Sequence, residues 1–380
     1  MKKILIIHNK YKLLGGEDIA VESEIEILRE NFDVKTLIFD NKNINLFSDV
    51  FSFVFNRNLK SVKKLKEAIE DFNPEIVYVH NTWYKASVGI LDELKKLNLK
   101  TFIKLHNFRY DCTRHFLAKN HIKKNDTCEK CGASKLLFIN KYFTDSIFKT
   151  LLVLRYGKKY FSLIKENNFN LIVLTAFHKS YLESLGVNKE KIYTIHNPFK
   201  IETNVNKNSE NYILYAGRIS EEKGVEELIK AFLNSDLIEL SLKIIGEGPK
   251  LDYLKNKYKL HQNIELLGAL KNTQTKQLIS SARAVVTATK LLEGQPTLLC
   301  EASTLGVPSI FPNFGGIYEF FPKDTSLSFE QYNYDDLTLK LNELNNEEKI
   351  LSEGKNNREY LLDNYGKESY INKFMKAINE

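Results

Sequence analysis

Along the chain, short runs of β-branched and aliphatic residues alternate with longer segments in which apolar residues recur every three or four positions. Runs of the first kind predict buried strands, and segments of the second kind predict amphipathic helices. In the first half, strands are predicted for KILIIH, VKTLIF, IVYVHN, TFIKLHN, LIVLT and KIYTIHN, and helices over 18–29, 62–71 and 86–97. This alternation is typical of α/β proteins with parallel sheets.

The second half repeats the alternation. Strands are predicted for YILYAGR, SLKIIG, IELLG, AVVTAT and VPSIF, and helices for VEELIKAF, YLKNKYKL, 277–282 and a segment with Pro296 in its first turn that ends at Gly306. Between the halves, FKIETNVNKNSEN is polar and aperiodic, as linkers are. We therefore predict two doubly wound, Rossmann-like domains, 1–198 and 199–359, that face each other across a cleft, with a helix at 360–380 that packs back onto the first.

The composition agrees with two soluble domains. A chain of 380 residues is long for one core, and its 43% hydrophobic and 27% charged residues are ordinary for a globular protein. The net charge of +7 suits phosphate ligands or an anionic membrane and is too small to predict nucleic-acid binding. No apolar run approaches the roughly 18 residues that a membrane-spanning helix needs. The apolar stretch of MKKILIIHNK is too short for a signal peptide. The four cysteines suit a reducing compartment. The predicted location is the cytoplasm.

Two carboxylates flank the start of the helix predicted after Pro296. Glu293 precedes the helix, and Glu301 lies more than a turn inside it. Backbone N–H groups at a helix N-terminus, with the positive end of the helix dipole behind them, favour a phosphate, while a carboxylate accepts hydrogen bonds from a diol. The pattern predicts a site for a sugar joined to phosphates; the alternative is a pair of solvated surface residues. The segment between the two carboxylates includes Gly294, Gln295, Pro296 and Thr297.

Two cations are predicted at the same edge of the second sheet. Arg218 follows the strand YILYAG, and Lys223 comes just before Gly224 and the next helix. A guanidinium supplies forked hydrogen bonds and an ammonium supplies a point charge, a combination that suits a diphosphate. The alternative is a surface Arg and Lys near a helix start.

The segments AGRISEEKGVEELIKAF, IIGEGP and EGQPTLLCEASTLGVPSIFPNFGGIYE resemble the retaining glycosyltransferases of family 4, which have the GT-B fold. The resemblance runs through nearly the whole chain and is strongest over 213–319. It implies that Arg218 and Lys223 hold the donor pyrophosphate, that Glu301 binds the ribose hydroxyls, and that Glu293 contacts the donor sugar beside the loop amides. It also implies metal-independent catalysis. The chain departs from the family at Gln295-Pro296, which puts the sugar specificity in doubt.

The resemblance adds two features of the first domain. Gly15 and Gly16 follow the first strand, where the family places a loop near the donor phosphate and the acceptor; on its own the pair predicts only a turn. His106 closes the strand TFIKLH, and the family carries a His or Asp near this position that approaches the donor sugar. Without the resemblance, a structural histidine is the simpler interpretation.

Three cysteines, Cys112, Cys128 and Cys131, follow the His106 strand with a C-x-x-C spacing in the last two. This spacing predicts a structural zinc site, with His115 or His121 as the fourth ligand. The alternative is a loop with reduced thiols and no metal.

Two segments, LFSDVFSFVFNRNLKSVKKLK and FTDSIFKTLLVLRYGKKYF, combine aromatic and apolar residues with lysines and arginines. Basic amphipathic helices of this kind lie on anionic bilayers, and a peripheral position on the inner membrane face is one interpretation. Ordinary core-facing helices with solvated lysines are the other.

The resulting hypothesis is a retaining glycosyltransferase that moves a sugar from a UDP- or GDP-linked donor to a glycan or lipid-linked acceptor, in surface polysaccharide or glycolipid synthesis. One alternative keeps the fold and changes the reaction to that of a sugar-nucleotide epimerase or phosphorylase. Another is a non-catalytic module that binds zinc or nucleic acid through its cysteines, which no dense basic stripe or stacking platform supports.

Overall fold

The computed structural model describes residues 1–11, 16–42, 52, 54–108, 110, 147–166, 168–199 and 209–380. The chain divides into two compact units, Met1–Pro198 together with Lys367–Glu380, and Phe199–Gly366. Each unit contains a parallel sheet with helices between successive strands, so the predicted α/β class and the two Rossmann-like units are confirmed.

The first unit contains a six-stranded sheet in the order β2-β1-β3-β4-β5-β6. Its strands are β1 (Lys3–Lys10), β2 (Asp33–Asp40), β3 (Ile76–Val79), β4 (Thr101–Leu105), β5 (Asn170–Val173) and β6 (Ile192–Thr194). Its helices before the linker are α1 (Gly16–Arg29), α2 (Leu59–Phe72), α3 (Gly89–Leu97), α4 (Ile147–Lys165) and α5 (Ala176–Ser184). The central strands β3 and β4 are buried along their whole length, which fits the continuous apolar run of β3, and β4 buries the charged Lys104 among its apolar residues.

The second unit contains a six-stranded sheet in the order β12-β11-β10-β7-β8-β9. Its strands are β7 (Tyr212–Ala216), β8 (Ser241–Ile245), β9 (Ile264–Gly268), β10 (Ala284–Val286), β11 (Ser309–Pro312) and β12 (Ser328–Phe329). Its helices are α6 (Val225–Leu233), α7 (Leu251–Lys257), α8 (Asn272–Ser281), α9 (Thr297–Thr304), α10 (Tyr334–Asn342) and α11 (Glu347–Tyr365). Strands β7 and β10 are neighbours, and the loops that follow them carry the residues of the predicted donor site.

The C-terminal helix α12 (Lys367–Asn379) belongs to the first unit. Its buried residues Tyr370 and Phe374 pack in one core with Ile4 and Ile6 of β1. The C-terminal segment that packs on the first unit was predicted to begin at residue 360, and it begins at Lys367 instead. Helix α11 continues to Tyr365, and Gly366 follows it directly as the C-cap.

Several predicted boundaries differ from the observed ones. The helix predicted over 86–97 begins at Gly89, because Ser87 has a left-handed backbone (φ 65°) that a helix does not contain. The helix predicted over 277–282 extends over Asn272–Ser281. Gly16 is the first residue of α1 rather than part of the preceding loop. The sequence patterns did not predict β12, α10 or the first turns of α11.

Candidate functional site

The turn after β7 is pressed against the end of the neighbouring strand β10. Residues Glu221–Lys223 form one 3₁₀ turn, and Gly224 follows with a left-handed backbone (φ 66°). A Cβ atom at Gly224 would lie 1.9 Å from the carbonyl oxygen of Ala288, a distance that only glycine tolerates. The backbone N–H of Lys290 also donates to the Glu222 carbonyl oxygen at 2.9 Å. These close contacts fix Lys223 beside the loop that carries Glu293.

Lys223 and Glu293 form a direct ion pair in which the ammonium donates to Oε1 of the carboxylate. The hydroxyl of Thr289, on the loop after β10, donates to the same oxygen at 3.1 Å. The side chains of Lys223 and Glu293 are 27% and 25% exposed, so both are reachable from solvent without being free surface groups. The structure therefore brings together two of the residues predicted for the donor site.

The backbone around Glu293 is fixed from the opposite side by two consecutive glycines. The N–H of Gly316 donates to the Glu293 carbonyl oxygen at 3.2 Å, and Gly315 has a left-handed backbone (φ 76°). The side-chain amide of Gln331 lies 3.4 Å from the carbonyl oxygens of Thr289 and Leu291. These contacts hold the backbone of the loop that carries Glu293.

Arg218 lies on the loop that directly follows β7. Its carbonyl oxygen accepts a hydrogen bond from the Tyr215 hydroxyl at 2.9 Å, and the N–H of Ile219 donates to the Glu247 carbonyl oxygen at 2.8 Å. Burial raises the pKa of Tyr215, and the negative charge of Glu293 raises it further, so this hydroxyl stays protonated as a donor. Arg218 itself is exposed, and its guanidinium has no ion-pair partner within the described residues. It is therefore available for an anionic ligand.

The helix that carries Glu301 begins one residue later than predicted. Pro296 is the N-cap rather than part of the first turn, and its carbonyl oxygen accepts from the N–H of Cys300 at 2.9 Å. Glu301 is half-buried on α9, while the preceding Gly294 and Gln295 are buried. Because Pro296 has no N–H, the first free helical donor comes from Thr297.

In the first unit, the structure shows a pattern that the sequence analysis did not use. A His-Asn dipeptide occurs near the carboxyl end of four strands: His8 lies within the last three residues of β1, and His80, His106 and His196 lie just after β3, β4 and β6. Because β1, β3 and β4 are neighbours, the first three histidines follow one another along the sheet edge. Ring centroids of His8 and His80 are 6.2 Å apart, and those of His80 and His106 are 5.3 Å apart. The repeated dipeptide was the available signal.

His106, predicted to contact the donor sugar, is hydrogen-bonded to His80. The two atoms are His106 Nε2 and His80 Nδ1, 3.0 Å apart. Burial lowers the pKa of both imidazoles well below 6.5, so both rings are neutral near pH 7. His8 has a separate partner, because its Nε2 lies 2.8 Å from Oδ1 of the buried Asp18.

A buried ion pair lies behind these histidines. The ammonium of Lys104, on β4, donates to Oε1 of Glu24, on α1, and both side chains are fully buried. The Tyr78 hydroxyl donates to Oε2 of Glu24 at 3.3 Å, and Nε2 of His80 lies 3.5 Å from the same oxygen. Sequence periodicity missed this pair, since it predicts each position only as core or surface.

His106 lines a cavity of about 40 Å³ in the first unit, enough for ordered water. The cavity is also lined by the carboxylate residue Glu17, which accepts hydrogen bonds from the Tyr11 hydroxyl at 3.1 Å and the Asn107 amide at 3.3 Å. The cavity is too small to enclose a sugar ring, but its aromatic faces and convergent polar groups suit a hydroxyl group of a sugar bound at its mouth. The aromatic residues that line the cavity are Tyr11, Trp83, Tyr110, Tyr156 and Tyr160.

Several predicted site residues lie outside the described part of the chain: Gly15, Cys112, Cys128, Cys131, His115 and His121. The zinc site therefore stays a prediction. Among the residues that the structure does describe, no group of three or more His, Cys, Asp or Glu side chains is arranged to hold a metal ion.

The two basic segments are described only in part, since 43–51, 53 and 143–146 fall outside the described residues. In the first, α2 buries Val62 and Leu65, while Arg57 and Lys66 both pair with Glu93, at 3.1 and 3.0 Å. Its described portion is thus a core-facing helix whose cations are partly neutralised. None of the helices in the described ranges is long and apolar enough to cross a membrane.

Comparison with known proteins gives a consistent result. Residues 197–360 match the family model described as glycosyl transferases group 1. The chain is 24% identical over 376 residues to the uncharacterized glycosyltransferase MJ1178 of Methanocaldococcus jannaschii, covering 94% of this chain and 93% of that protein. It is 26% identical over 225 residues to the O-antigen biosynthesis glycosyltransferase WbnH of Escherichia coli, covering 58% of this chain and 62% of that protein.

The fold is similar to that of solved glycosyltransferases. HepE of Anabaena, crystallised in complex with UDP-glucose, aligns with a TM-score of 0.69 at 14% identity, covering 100% of both chains. At this level of identity the similarity establishes the fold, which is GT-B.

Proposed function

We propose that this chain, whose residues 197–360 match the glycosyl transferases group 1 family model, transfers a sugar from a nucleoside-diphosphate sugar to a glycan or lipid-linked acceptor with retention of configuration. The pathway we propose is the synthesis of a surface polysaccharide or glycolipid in the cytoplasm, on the inner face of the membrane. The O-antigen relative WbnH and the UDP-glucose complex of HepE support a polysaccharide product and a UDP-linked donor, tested before GDP.

The observation that carries this proposal is the cluster of charges at the carboxyl edge of the second sheet. The exposed guanidinium of Arg218 and the ammonium of Lys223 supply two positive charges, and Glu293 supplies a fixed carboxylate. Ligands of parallel α/β sheets bind at this edge. Phosphate oxygens suit the two cations, and sugar hydroxyl groups suit the carboxylate, so the cluster is chemically matched to a nucleotide sugar.

In the proposed reaction, the bond between the anomeric carbon and the diphosphate oxygen breaks, and negative charge builds on the leaving diphosphate. Arg218, Lys223 and the N–H groups at the start of α9 stabilise that charge. We expect these groups to suffice without a catalytic metal ion. The acceptor hydroxyl forms the new bond to the anomeric carbon on the face that the diphosphate leaves, and its proton passes to the departing phosphate oxygen. Glu293 orients the sugar, and Glu301 accepts hydrogen bonds from the ribose diol.

In the first unit we propose that His106 contacts a hydroxyl group of a sugar substrate bound at the mouth of the aromatic cavity. The cavity supports this because it places the neutral imidazole among aromatic residues and the carboxylate of Glu17. Tyr and Trp rings pack against the apolar face of a sugar, and a carboxylate accepts hydrogen bonds from its hydroxyl groups.

The test is a thermal-shift panel with UDP, GDP, ADP and CMP on the wild type, R218A and the control R29A. Arg29 is an exposed arginine at the end of α1, outside the predicted donor site. A ligand that binds only the folded state raises the melting temperature by mass action. We expect one diphosphate, UDP first, to stabilise the wild type and R29A but not R218A. Absence of any shift at millimolar concentration, or an equal shift in R218A, would reject the donor site.

Product analysis with the stabilising nucleotide sugar then distinguishes transfer from epimerisation. Transfer releases the nucleoside diphosphate and yields a glycoside with unchanged anomeric configuration. Conversion of the donor into an isomeric nucleotide sugar without release of the diphosphate would favour the epimerase alternative.

A further inference from the structure

Three side chains of the first unit form a chain from the buried interior to the aromatic cavity. Glu24 Oε2 lies 3.5 Å from His80 Nε2, and His80 Nδ1 lies 3.0 Å from His106 Nε2. Glu24 and His80 are buried, whereas His106 is half-buried and lines the cavity. The three residues come from α1 and from the loops after β3 and β4, so the sheet topology holds them in this order.

Glu24 acts as a hydrogen-bond acceptor in this chain. The ammonium of Lys104 donates to Oε1, and the hydroxyl of Tyr78 donates to Oε2. Burial raises the pKa of Glu24 above its usual range, and the positive charge and hydrogen bond of Lys104 limit that rise. A carboxylate paired in this way presents only lone pairs to its other neighbours.

The position of Glu24 decides which nitrogen of His80 carries the proton. Nε2 of His80 is buried, and within the described residues it has no hydrogen-bond partner; the oxygen it faces is Oε2 of Glu24. A lone pair on Nε2 would face the lone pairs of a carboxylate in a low-dielectric interior, which is unfavourable. The proton therefore belongs on Nε2, which leaves Nδ1 of His80 as an acceptor.

The tautomer of His80 determines that of His106. Since Nδ1 of His80 accepts, Nε2 of His106 must donate the 3.0 Å hydrogen bond between them. A neutral imidazole carries one N–H, so Nδ1 of His106 is unprotonated. Within the described part of the chain this nitrogen has no hydrogen-bond partner, and the ring borders the cavity.

The charged and titratable groups around His106 keep it neutral. Burial is the main reason that its pKa is lowered well below 6.5, and the nearby Lys104, His8 and His178 lower it further. The pKa of His80 is lowered by burial first and then by His106, His8 and Lys104. Neutral rings are required here, because a doubly protonated imidazole would have no acceptor nitrogen.

We propose that Glu24 and His80 are positioning residues for His106: Glu24 holds the proton of His80 on Nε2, and His80 then holds the proton of His106 on Nε2, so that Nδ1 of His106 accepts a hydrogen bond from a hydroxyl group of a sugar substrate. The final step rests on the function proposed above. The tautomers themselves follow from the geometry of the chain and are measured separately.

The test compares two double variants of the full-length protein, E24Q/K104M and E24L/K104M. Both remove the buried charges together, which avoids an unpaired buried ion. The amide introduced by E24Q keeps a carbonyl oxygen that accepts from Tyr78 and His80, whereas the aliphatic side chain introduced by E24L has no acceptor. Nitrogen NMR of histidine-labelled protein reports the protonated nitrogen of each ring. H106Q and H80Q spectra assign the signals, and exposed His261 of the second unit is the internal reference.

We expect the wild type and E24Q/K104M to carry the His106 proton on Nε2, and E24L/K104M to show a mixture of tautomers. Protonation of His106 on Nδ1 in the wild type, or identical tautomers in the two double variants, would overturn the positioning role. In the transfer assay, E24L/K104M should lose kcat by about 10-fold or more while the nucleotide thermal shift is unchanged, and E24Q/K104M should recover most of it. An equal kcat in the two double variants, despite different tautomers, would reject the role of Nδ1.

The two proposals fail in different ways. If the wild type binds no nucleotide and transfers no sugar while the tautomers respond as expected, the proposed function is rejected and the tautomer assignment stands. If transfer is observed and the tautomers do not respond, the proposed function stands and the positioning role is rejected.

Discussion

Lys223 and Glu293 are 70 positions apart in the chain, and their side chains form a direct ion pair at the carboxyl edge of the second sheet. The pair holds Lys223, which is proposed to bind a donor phosphate, against Glu293, which is proposed to bind the donor sugar, before any substrate is bound. A lysine has three N–H donors, so the ammonium can keep Glu293 and still donate to a phosphate oxygen. The pair therefore prepares both side chains for the donor.

Replacement of Lys223 by alanine should weaken binding of the nucleoside diphosphate. Loss of a hydrogen bond between charged groups costs about 1.5–3 kcal/mol, or roughly 10- to 150-fold in Kd. Isothermal titration of K223A with UDP measures this loss.

The matched control is Lys290→Ala. Lys290 is also partly exposed (24%) and also pairs with a carboxylate, Glu227 at 2.5 Å, in the same unit. We expect K290A to bind UDP as the wild type does. Equal loss in both variants would mean that the general positive charge of the unit, rather than Lys223, holds the diphosphate.

Replacement of Glu301 by alanine should remove discrimination between ribose and dideoxyribose. The wild type is expected to bind UDP more tightly than 2′,3′-dideoxy-UDP by a factor of about 10, since the diol donates to a charged acceptor. In E301A the two ligands should bind alike. Comparison of two ligands on two proteins contains its own control, because general damage to the site weakens the binding of both ligands equally. If E301A still binds UDP more tightly than 2′,3′-dideoxy-UDP, Glu301 does not bind the ribose.

Replacement of Gly224 by alanine should destabilise the second unit and abolish nucleotide binding. The added Cβ would lie 1.9 Å from the Ala288 carbonyl oxygen, so the turn that carries Lys223 must move away from β10. We expect a loss of about 3 kcal/mol in the free energy of unfolding, measured by urea denaturation.

The control variant Gly268→Ala distinguishes the effect of the steric contact at Gly224 from the effect of backbone strain. Gly268 also has a left-handed backbone (φ 73°), but a Cβ there would meet nothing within 4 Å. G268A should cost only about 1 kcal/mol and retain the UDP thermal shift. Similar losses in both variants would show that backbone strain alone is responsible.

The free energy of unfolding should fall as the pH is lowered below about 6.5, because buried histidines resist protonation. Burial lowers the pKa of His178 from 6.5 to about 3, so the unfolded chain binds this proton first. The contribution of each such histidine to the free energy of unfolding is fully present above pH 6.5. It is lost as the pH falls toward 3, by about 1.4 kcal/mol per pH unit.

Urea denaturation of the wild type and H178Q between pH 7 and pH 4.5 tests this prediction. The amide introduced by H178Q does not titrate, and it can keep the hydrogen bond to the Tyr110 hydroxyl, which in the wild type is 2.9 Å from His178 Nε2. The slope for H178Q should be smaller by about 1.4 kcal/mol per pH unit. H261Q changes an exposed histidine and should leave the slope unchanged; parallel curves for the wild type and H178Q would contradict the prediction.

Much of the fold could be predicted from the sequence because local patterns determine it. The apolar runs of β1, β3 and β7 are continuous, and each is followed by a loop and an amphipathic segment. Parallel α/β architecture follows from that alternation. The elements in region 312–346 were not predicted. Strand β12 has only two residues, and α10 buries only Leu337 and Leu341, so neither element produces a clear periodic pattern of apolar residues.

By itself, the sequence determined the two α/β units, the placement of Arg218 and Lys223 after a strand, and the family signal of the second unit. The tertiary structure decided which of these loops meet. Lys223 reaches Glu293 because β7 and β10 are adjacent in the sheet, and Gly224 lets their loops touch. His80 reaches His106 because β3 and β4 are adjacent. Periodicity shows that a residue is at the end of a strand, but strand order is set by long-range packing, and only that order shows which strand ends share a site.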